Sequence, residues 1–299
     1  MKMQKKRNIN GLSVVILIVL IAYTLIFVTL LAWGLLTSLK TSIEFDENKL
    51  LWPKLGVQWK NYATVFEKFV VSVDREVGDG FQKFNIGMVD QLFNTFVYAF
   101  GGAFFATIIP CITAYATAKF DKLPSKVIYT IVIITMALPI IGSYPSEIYL
   151  ARKLGIYDEI WGIILMKGNF LGMYYLVFYA VFKTLNKGYY EAAYLDGASE
   201  FRIMISIAIP LVKTTFSTVM LIKFIEFWND YQTPLLYAPS HPTLAYGIWY
   251  LSNTTQVKGM SGVPLRITAS MILLLPVLII FILLRKKLMG NITVGGIKG

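Results

Sequence analysis

The 299 residues are 56% hydrophobic and only 15% charged, with a mean hydropathy of +0.62 and a net charge of +11. Soluble domains carry about 25% charged residues, so this chain lacks the polar surface to face water all round. An all-α, polytopic membrane protein is the expected class. The basic residues flank apolar runs, with Lys2, Lys5, Lys6 and Arg7 before the first and Arg285, Lys286 and Lys287 after the last. That distribution argues for a lipid bilayer as partner and against nucleic acid, which would need Lys and Arg gathered on a polar module.

A hydrocarbon core of ~30 Å takes ~20 helical residues, and six stretches offer them. The first lies near 13–37, in the charge-free run between Arg7 and Lys40. It is too long for a signal-peptide h-region and lacks a prompt cleavage site, so it reads as an uncleaved helix. An outer loop, 40–91, follows with seven basic and eight acidic residues, a balance suited to a small folded external segment. The second span is expected near 92–117 and the third near 127–146, where Pro139 and Pro145 should bend the outer end. The fourth, near 160–182, contains only Lys167, whose long side chain can snorkel to the interface. The fifth, 208–230, is interrupted by Lys213, Lys223, Glu226 and Asp230 and is supported by topology more than by hydropathy. Loop 232–265 is dense in Pro and Gly, which predicts turns rather than helices, and the sixth span, 267–284, contains Pro276.

With six spans both termini share a side. Segments 1–11, 119–126, 183–207 and 285–299 hold fourteen Lys and Arg, against three in 147–159 and 232–265. The positive-inside rule then places both termini in the cytoplasm. Cys111 is the single cysteine and His241 the single histidine, so no disulfide within the chain and no His/Cys metal cluster can form. Cys111 reads as a small buried hydrophobe and His241 as a loop residue. No catalytic residue is assigned. The sequence contains no G-x-x-x-x-G-K-(S/T) and no H-E-x-x-H, which argues against an enzyme or self-powered pump.

The cytoplasmic segment 187–207 has a different character. Glu191, Ala192, Ala193, Tyr194 and Leu195 favour a helix, Gly197 interrupts it, and Ser199 with Glu200 can start another. Tyr190, Tyr194, Gly197 and Phe201 recur at helical spacing. Two short helices meeting at a glycine suit docking into a groove on another protein. The same pattern also suits a helix lying along the chain's own membrane surface.

This segment resembles the coupling loop of carbohydrate-type ABC importer permeases. Glu191-Ala192-Ala193, Gly197 after three residues, and Ile207-Ala208-Ile209-Pro210 after nine more match the family's E-A-A, G and I-x-L-P, with Ile209 in place of Leu. Asp196 and Ala198 complete its E-A-A-x-x-D-G-A form. Asn61-Tyr62, Ala114-Tyr115-Ala116 with Lys119-Phe120, and Trp228-Asn229-Asp230 with Pro234-Leu235 are similar to further family motifs. The tail Gly295-Gly296-Ile297-Lys298-Gly299 looks like the ending of sugar-type permeases related to the maltose system's smaller subunit. Leu185-Asn186-Lys187-Gly188 departs from the family's I-P-x-E, and residues 70–91 form a longer outer loop than is usual.

The resemblance implies a multi-pass subunit of the cell membrane that moves a sugar delivered by an extracellular binding protein facing loop 232–265. Two copies of a cytoplasmic ATPase would carry ATP and Mg, this chain binding no cofactor or metal itself, and a second, non-identical permease would complete the pore. Glu191 would meet a basic group on the ATPase, Ala192 and Ala193 would allow close approach, and Gly197 would form the bend. Gly295, Gly296, Lys298 and Gly299 would reach toward the same ATPase.

Intramembrane charge is costly, about 2.5–3.5 kcal/mol at a helix centre, so it must face protein or water. Lys223 and Glu226 at i, i+3, with Asn229 and Asp230 beyond, mark either the translocation path or a seam with the partner permease. The 18 Tyr, 20 Phe and 6 Trp could stack on sugar, but Trp161 and Trp228 at predicted span ends read as anchors or packing residues. The rival class is an ion-driven secondary transporter, which should show repeats and midplane carboxylates. An ABC importer for another solute is the nearer alternative.

Overall fold

A computed structural model describes residues 11–50, 52–77, 80–120, 122–138, 142–254, 259–260 and 262–292. The architecture is mostly helical, with one two-stranded sheet among the described residues that an all-α expectation omits. Contacts divide the chain into two compact units, one drawn from Met1–Phe69 and Thr255–Ile272, the other from Val70–Thr254 and Leu273–Gly299.

In the first unit, α1 (Gly11–Ser38) is apolar on every face, as a helix surrounded by hydrocarbon must be. It is followed by α2 (Ser42–Glu47), which Thr41 caps by accepting the Glu44 N–H at 3.1 Å, and by α3 (Lys60–Lys68). The Asn61-Tyr62 pair locks the end of α1. The Asn61 amide donates to the Ser38 and Lys40 carbonyls at 2.8 Å each, and the Tyr62 hydroxyl lies 3.0 Å from Ser38 Oγ. These bonds satisfy carbonyls that a helix terminus leaves unpaired.

The second unit begins with a hairpin of β1 (Val71–Val77) and β2 (Gly80–Ile86), paired from Val71↔Ile86 to Val77↔Gly80. Val71 and Val73 are buried while Ser72 and Asp74 face out, the two-residue alternation of a half-buried strand. Arg75 donates to the Ser240 carbonyl at 2.8 Å, tying the hairpin to the loop far along the chain.

Helix α4 (Met88–Lys119) is the centre of this unit. Its small residues, among them Ala99, Gly102, Ala103, Ala106 and Ala114, let other helices approach closely, the usual basis of packing between membrane helices. Phe227 already lies 3.0 Å from where a Cβ on Gly102 would stand. Cys111 is fully buried in a core cluster with Tyr115, Tyr175 and Phe178.

The third expected span, 127–146, is instead α5 (Leu123–Ala137), ending at an extended Leu138 because a residue before proline is steered out of the helical region. Pro139 lies outside the described residues. Pro145 does not bend a helix but starts α6 (Tyr144–Lys153), standing in a first turn where its missing N–H costs nothing. The fourth, 160–182, is α7 (Ile160–Met166) and α8 (Met173–Thr184), separated by Lys167–Gly172, where Gly172 takes φ +127.

Beyond come α9 (Gly188–Leu195), α10 (Glu200–Ile203), a π-turn over Met204–Ala208, and α11 (Ile209–Leu211). Helix α12 (Lys213–Trp228) follows, bent by 76° from the Glu200–Leu211 piece. Where turns are expected in 232–265, the structure has α13 (Gln232–Tyr237) and α14 (Leu244–Asn253). Pro234, read as a breaker, sits in the first turn of α13, and the Thr243 hydroxyl caps α14. The last helix, α15 (Val263–Ile292), contains Pro276. Among the described residues three helices are long and apolar enough to cross a membrane, α1, α4 and α15 to Leu283, or four if the bent pair ending in α12 is one span.

Candidate functional site

Residues Glu191 to Pro210 form a tight elbow. Helix α9 ends in a Schellman arrangement, with the Ala198 N–H bonded to the Ala193 carbonyl at 2.9 Å and the Gly197 N–H to Tyr194 at 3.0 Å. Gly197 takes φ +75, the left-handed position this closure requires. Asp196 is the C-cap, and Ser199 caps α10 by accepting the Arg202 N–H. Ala208 is buried, Ile207 half-buried and Pro210 exposed on the π-turn and the helix after it.

The expected aromatic face does not run through both helices, because Gly197 turns the chain. Tyr190 and Tyr194 instead enclose Lys119 at the end of α4, with Nζ 5.0 and 4.8 Å from their ring centres. Lys119 also donates to the Tyr115 hydroxyl at 2.9 Å and pairs with Glu200 at 2.5 Å, while the Tyr194 hydroxyl donates to the other Glu200 oxygen. The elbow is thus clamped to its own chain on one side. The other side leaves Glu191, Ala192, Leu195 (90% exposed) and Phe201 (68% exposed) open, whereas Ala193 is buried. Gly295, Gly296, Lys298 and Gly299 lie outside the described residues.

A second polar constellation sits among the apolar helices. Lys223 and Glu226 form the expected i, i+3 pair at 2.8 Å. Asp230 does not join them. It accepts the Tyr98 hydroxyl at 2.6 Å and the Thr233 N–H at 3.0 Å, with Lys167 Nζ 3.6 Å away. Lys167 does not snorkel outward, since its ammonium also donates to Thr233 Oγ1 at 2.9 Å. Asn229 bonds back to the Ile225 carbonyl and stands apart. Trp228 is buried, donating to the Leu273 carbonyl at 2.9 Å, and is a packing residue. The pairing of Lys167 and Tyr98 with Asp230 escapes sequence reasoning because these partners are distant in the chain.

Comparison with known proteins adds four findings. The family described as binding-protein-dependent transport system inner membrane component matches residues 106–288. The chain is 27% identical over 279 residues to the probable starch degradation products transport system permease protein AmyC of Thermoanaerobacterium thermosulfurigenes, covering 88% of this chain and 89% of that one. It is 28% identical over 210 residues to the maltodextrin transport system permease protein MdxG of Bacillus subtilis (strain 168), covering 69% and 74%. Its fold matches a chain in the crystal structure of a bacterial ABC transporter involved in the import of the acidic polysaccharide alginate, with TM-score 0.72 and 20% identity over 95% of this chain and 99% of that chain.

Proposed function

From the premise that this chain belongs to the family of binding-protein-dependent transport system inner membrane components, we propose that it is the membrane permease of an ABC importer for an oligosaccharide. The binding protein would deliver the sugar outside, and a separate ATPase holding ATP and Mg would drive transport from the cytoplasm. The relatives' roles in transporting starch degradation products and maltodextrin support the carbohydrate reading.

One observation carries the mechanism: the Gly197 elbow is fixed to the end of α4 by Lys119 and Glu200 yet keeps Glu191, Ala192 and Leu195 exposed. A part held on one side and open on the other can take a push from a partner and pass it to the membrane helices. Glu191 would pair with a basic group of the ATPase, and Ala192 would admit its surface closely. Ala193 would contribute packing, and Asp196, Gly197 and Ala198 would hold the bend. Ile207 and Pro210 would link the bend to α12. The tail Gly295, Gly296, Lys298 and Gly299 would lie toward the same ATPase pair.

In this reading the six spans are α1, α4, α5, the α7–α8 pair, the bent pair ending in α12, and α15. The basic residues of the short loops support cytoplasmic termini. A second, non-identical permease would complete the pathway.

The test is purification of the tagged chain from its native membrane, with and without Glu191→Lys. Co-elution of an ATPase and a second permease is expected, with binding-protein-stimulated hydrolysis reduced at least tenfold by the reversed charge. A chain that elutes alone, without ATPase activity, overturns the reading.

A further inference from the structure

Three helix ends meet beside the elbow: the last turn of α4, the last turn of α8 and the first turn of α9. They enclose a cavity of about 290 Å³. Lys119 borders it from α4, Lys183 from α8, and Lys187 from the position that opens α9. Tyr115, Phe182 and Tyr190 form aromatic walls, and Glu191 is the one carboxylate in the lining. Lys119 is matched by Glu200 at 2.5 Å. Among the described residues, Lys183 and Lys187 form no ion pair. Unmatched ammonium groups that share a cavity repel each other, and a bound anion relieves that repulsion. Lys187 also belongs to Leu185-Asn186-Lys187-Gly188, the segment that departs from the family's I-P-x-E. Gly188 stands where that glutamate would, so the acid that would neighbour Lys187 is missing from this chain.

We propose that this cavity binds a singly charged phosphate diester, the headgroup of an anionic phospholipid of the phosphatidylglycerol class. The balance of charge favours a diester. Three ammonium groups face Glu191 in the lining and Glu200 beside Lys119, which leaves one positive charge. A phosphate diester carries one negative charge, whereas a phosphate monoester carries about 1.5–2 at neutral pH. Location favours a lipid over a free anion. Helices α4 and α8 both end at the cavity, where tyrosine and lysine together suit the headgroup level of a bilayer. Basic pockets between spans on the cytoplasmic side take lipid headgroups. A volume near the lower end of ligand sites, ~300–1,000 Å³, admits a phosphoglycerol group and leaves the acyl chains outside.

The inference goes beyond the importer reading and needs from it only that α4 and α8 end at the cytoplasmic surface. A bound headgroup would tie the end of α8 to the first turn of α9, beside the Lys119 clamp that holds the elbow.

The test places the full chain in nanodiscs of phosphatidylcholine with a trace of phosphatidylglycerol that carries a photoreactive group next to its glycerol backbone. Crosslinks are expected on peptides spanning 115–119 and 182–191, and their absence overturns the proposal. Unlabelled phosphatidylglycerol should displace the label at least tenfold more effectively than phosphatidylethanolamine, and equal displacement overturns it. Lys183→Gln with Lys187→Gln should lower crosslinking at least tenfold, while Lys183→Arg with Lys187→Arg retains most of it. Lys122→Gln with Lys126→Gln removes the same charge outside the lining. An equal loss in that pair means general attraction to a basic surface and overturns the site. Displacement by millimolar inorganic phosphate in preference to lipid assigns the cavity to a free anion and overturns the lipid reading. If the glutamine pair does not fold, Gly188→Glu serves instead, since a Cβ there meets only the Asn186 side chain, at 3.3 Å. Fewer crosslinks at 182–191 in that variant support the site, and an unchanged yield overturns it.

Discussion

Gly197 holds φ +75, and a Cβ added there would meet nothing within 4 Å, so any cost of substitution is conformational rather than steric. Gly197→Ala should loosen the elbow by about 1–2 kcal/mol, and Gly197→Asn by less, because asparagine tolerates the left-handed region. Hydrogen exchange at the α9 amides should rise in the order Gly, Asn, Ala, and coupled hydrolysis should fall in that order. Asp158 gives a second residue-scale test. It sits at φ +63 and accepts the Ser240 N–H at 2.8 Å, with His241 Nδ1 3.8 Å off. Burial pushes its carboxyl up, but the imidazole and the Ser240 N–H prevail and hold it below the usual aspartate range. A depressed folded value adds stability above the unfolded value of about 3.9, and that stability is lost as pH falls through the folded value. Asp158→Asn should therefore lower stability at pH 7, by no more than about 1 kcal/mol for a partly exposed group, and melting curves should show the deficit shrinking as pH falls below about 3.9. At this scale the sequence reveals what is local. The turn at Gly197 is legible because the elbow is built within twenty residues. The Lys119–Glu200 and Lys167–Asp230 pairs are not, because 81 and 63 residues separate their members.

At the scale of elements, hydropathy locates α1, α4 and α15 because each is a long continuous helix. It misplaces the ends of the helices expected as the third and fourth spans because an apolar run does not reveal where its helix stops. The stops come from Pro139 on Leu138 and from the Lys167–Gly172 break. The hairpin was hidden in a charged loop, its alternation of Val71 and Val73 with Ser72 and Asp74 too short to outweigh the charges around it. Arg75→Ala removes its bond to Ser240 and its 5.3 Å contact with the Phe84 ring. Faster proteolysis or exchange across 238–243 is the expected result, with a local loss of about 1–2 kcal/mol. Gly102→Leu should act more broadly, forcing Phe227 out of its site on α4 at about 1–3 kcal/mol. Reduced yield of folded protein in detergent, measured by size exclusion, checks this.

For the molecule as a whole, the expected orientation depends on where Lys and Arg stand rather than on any contact. Its prediction is direct. Leu195, 90% exposed on the elbow, and Phe81, 75% exposed on the hairpin, should lie on opposite faces of the bilayer. With Cys111 buried, Leu195→Cys should react with an impermeant maleimide only in inverted vesicles, and Phe81→Cys only in intact cells. Both reacting from one side would reverse the topology.

The 76° bend after the π-turn makes the elbow and α12 the two limbs of a crank. A limb of 16 residues is about 24 Å long, so turning it by about 10° sweeps its tip by about 4 Å. That tip is where Trp228 meets Leu273, close in sequence to Asp230. In the proposed mechanism, a stroke applied at Glu191 would need no unfolding to be felt at that tip, only a joint that turns without stretching. The five-residue π-turn, with the Ile209 N–H bonded to Met204, holds the loose winding such a joint uses.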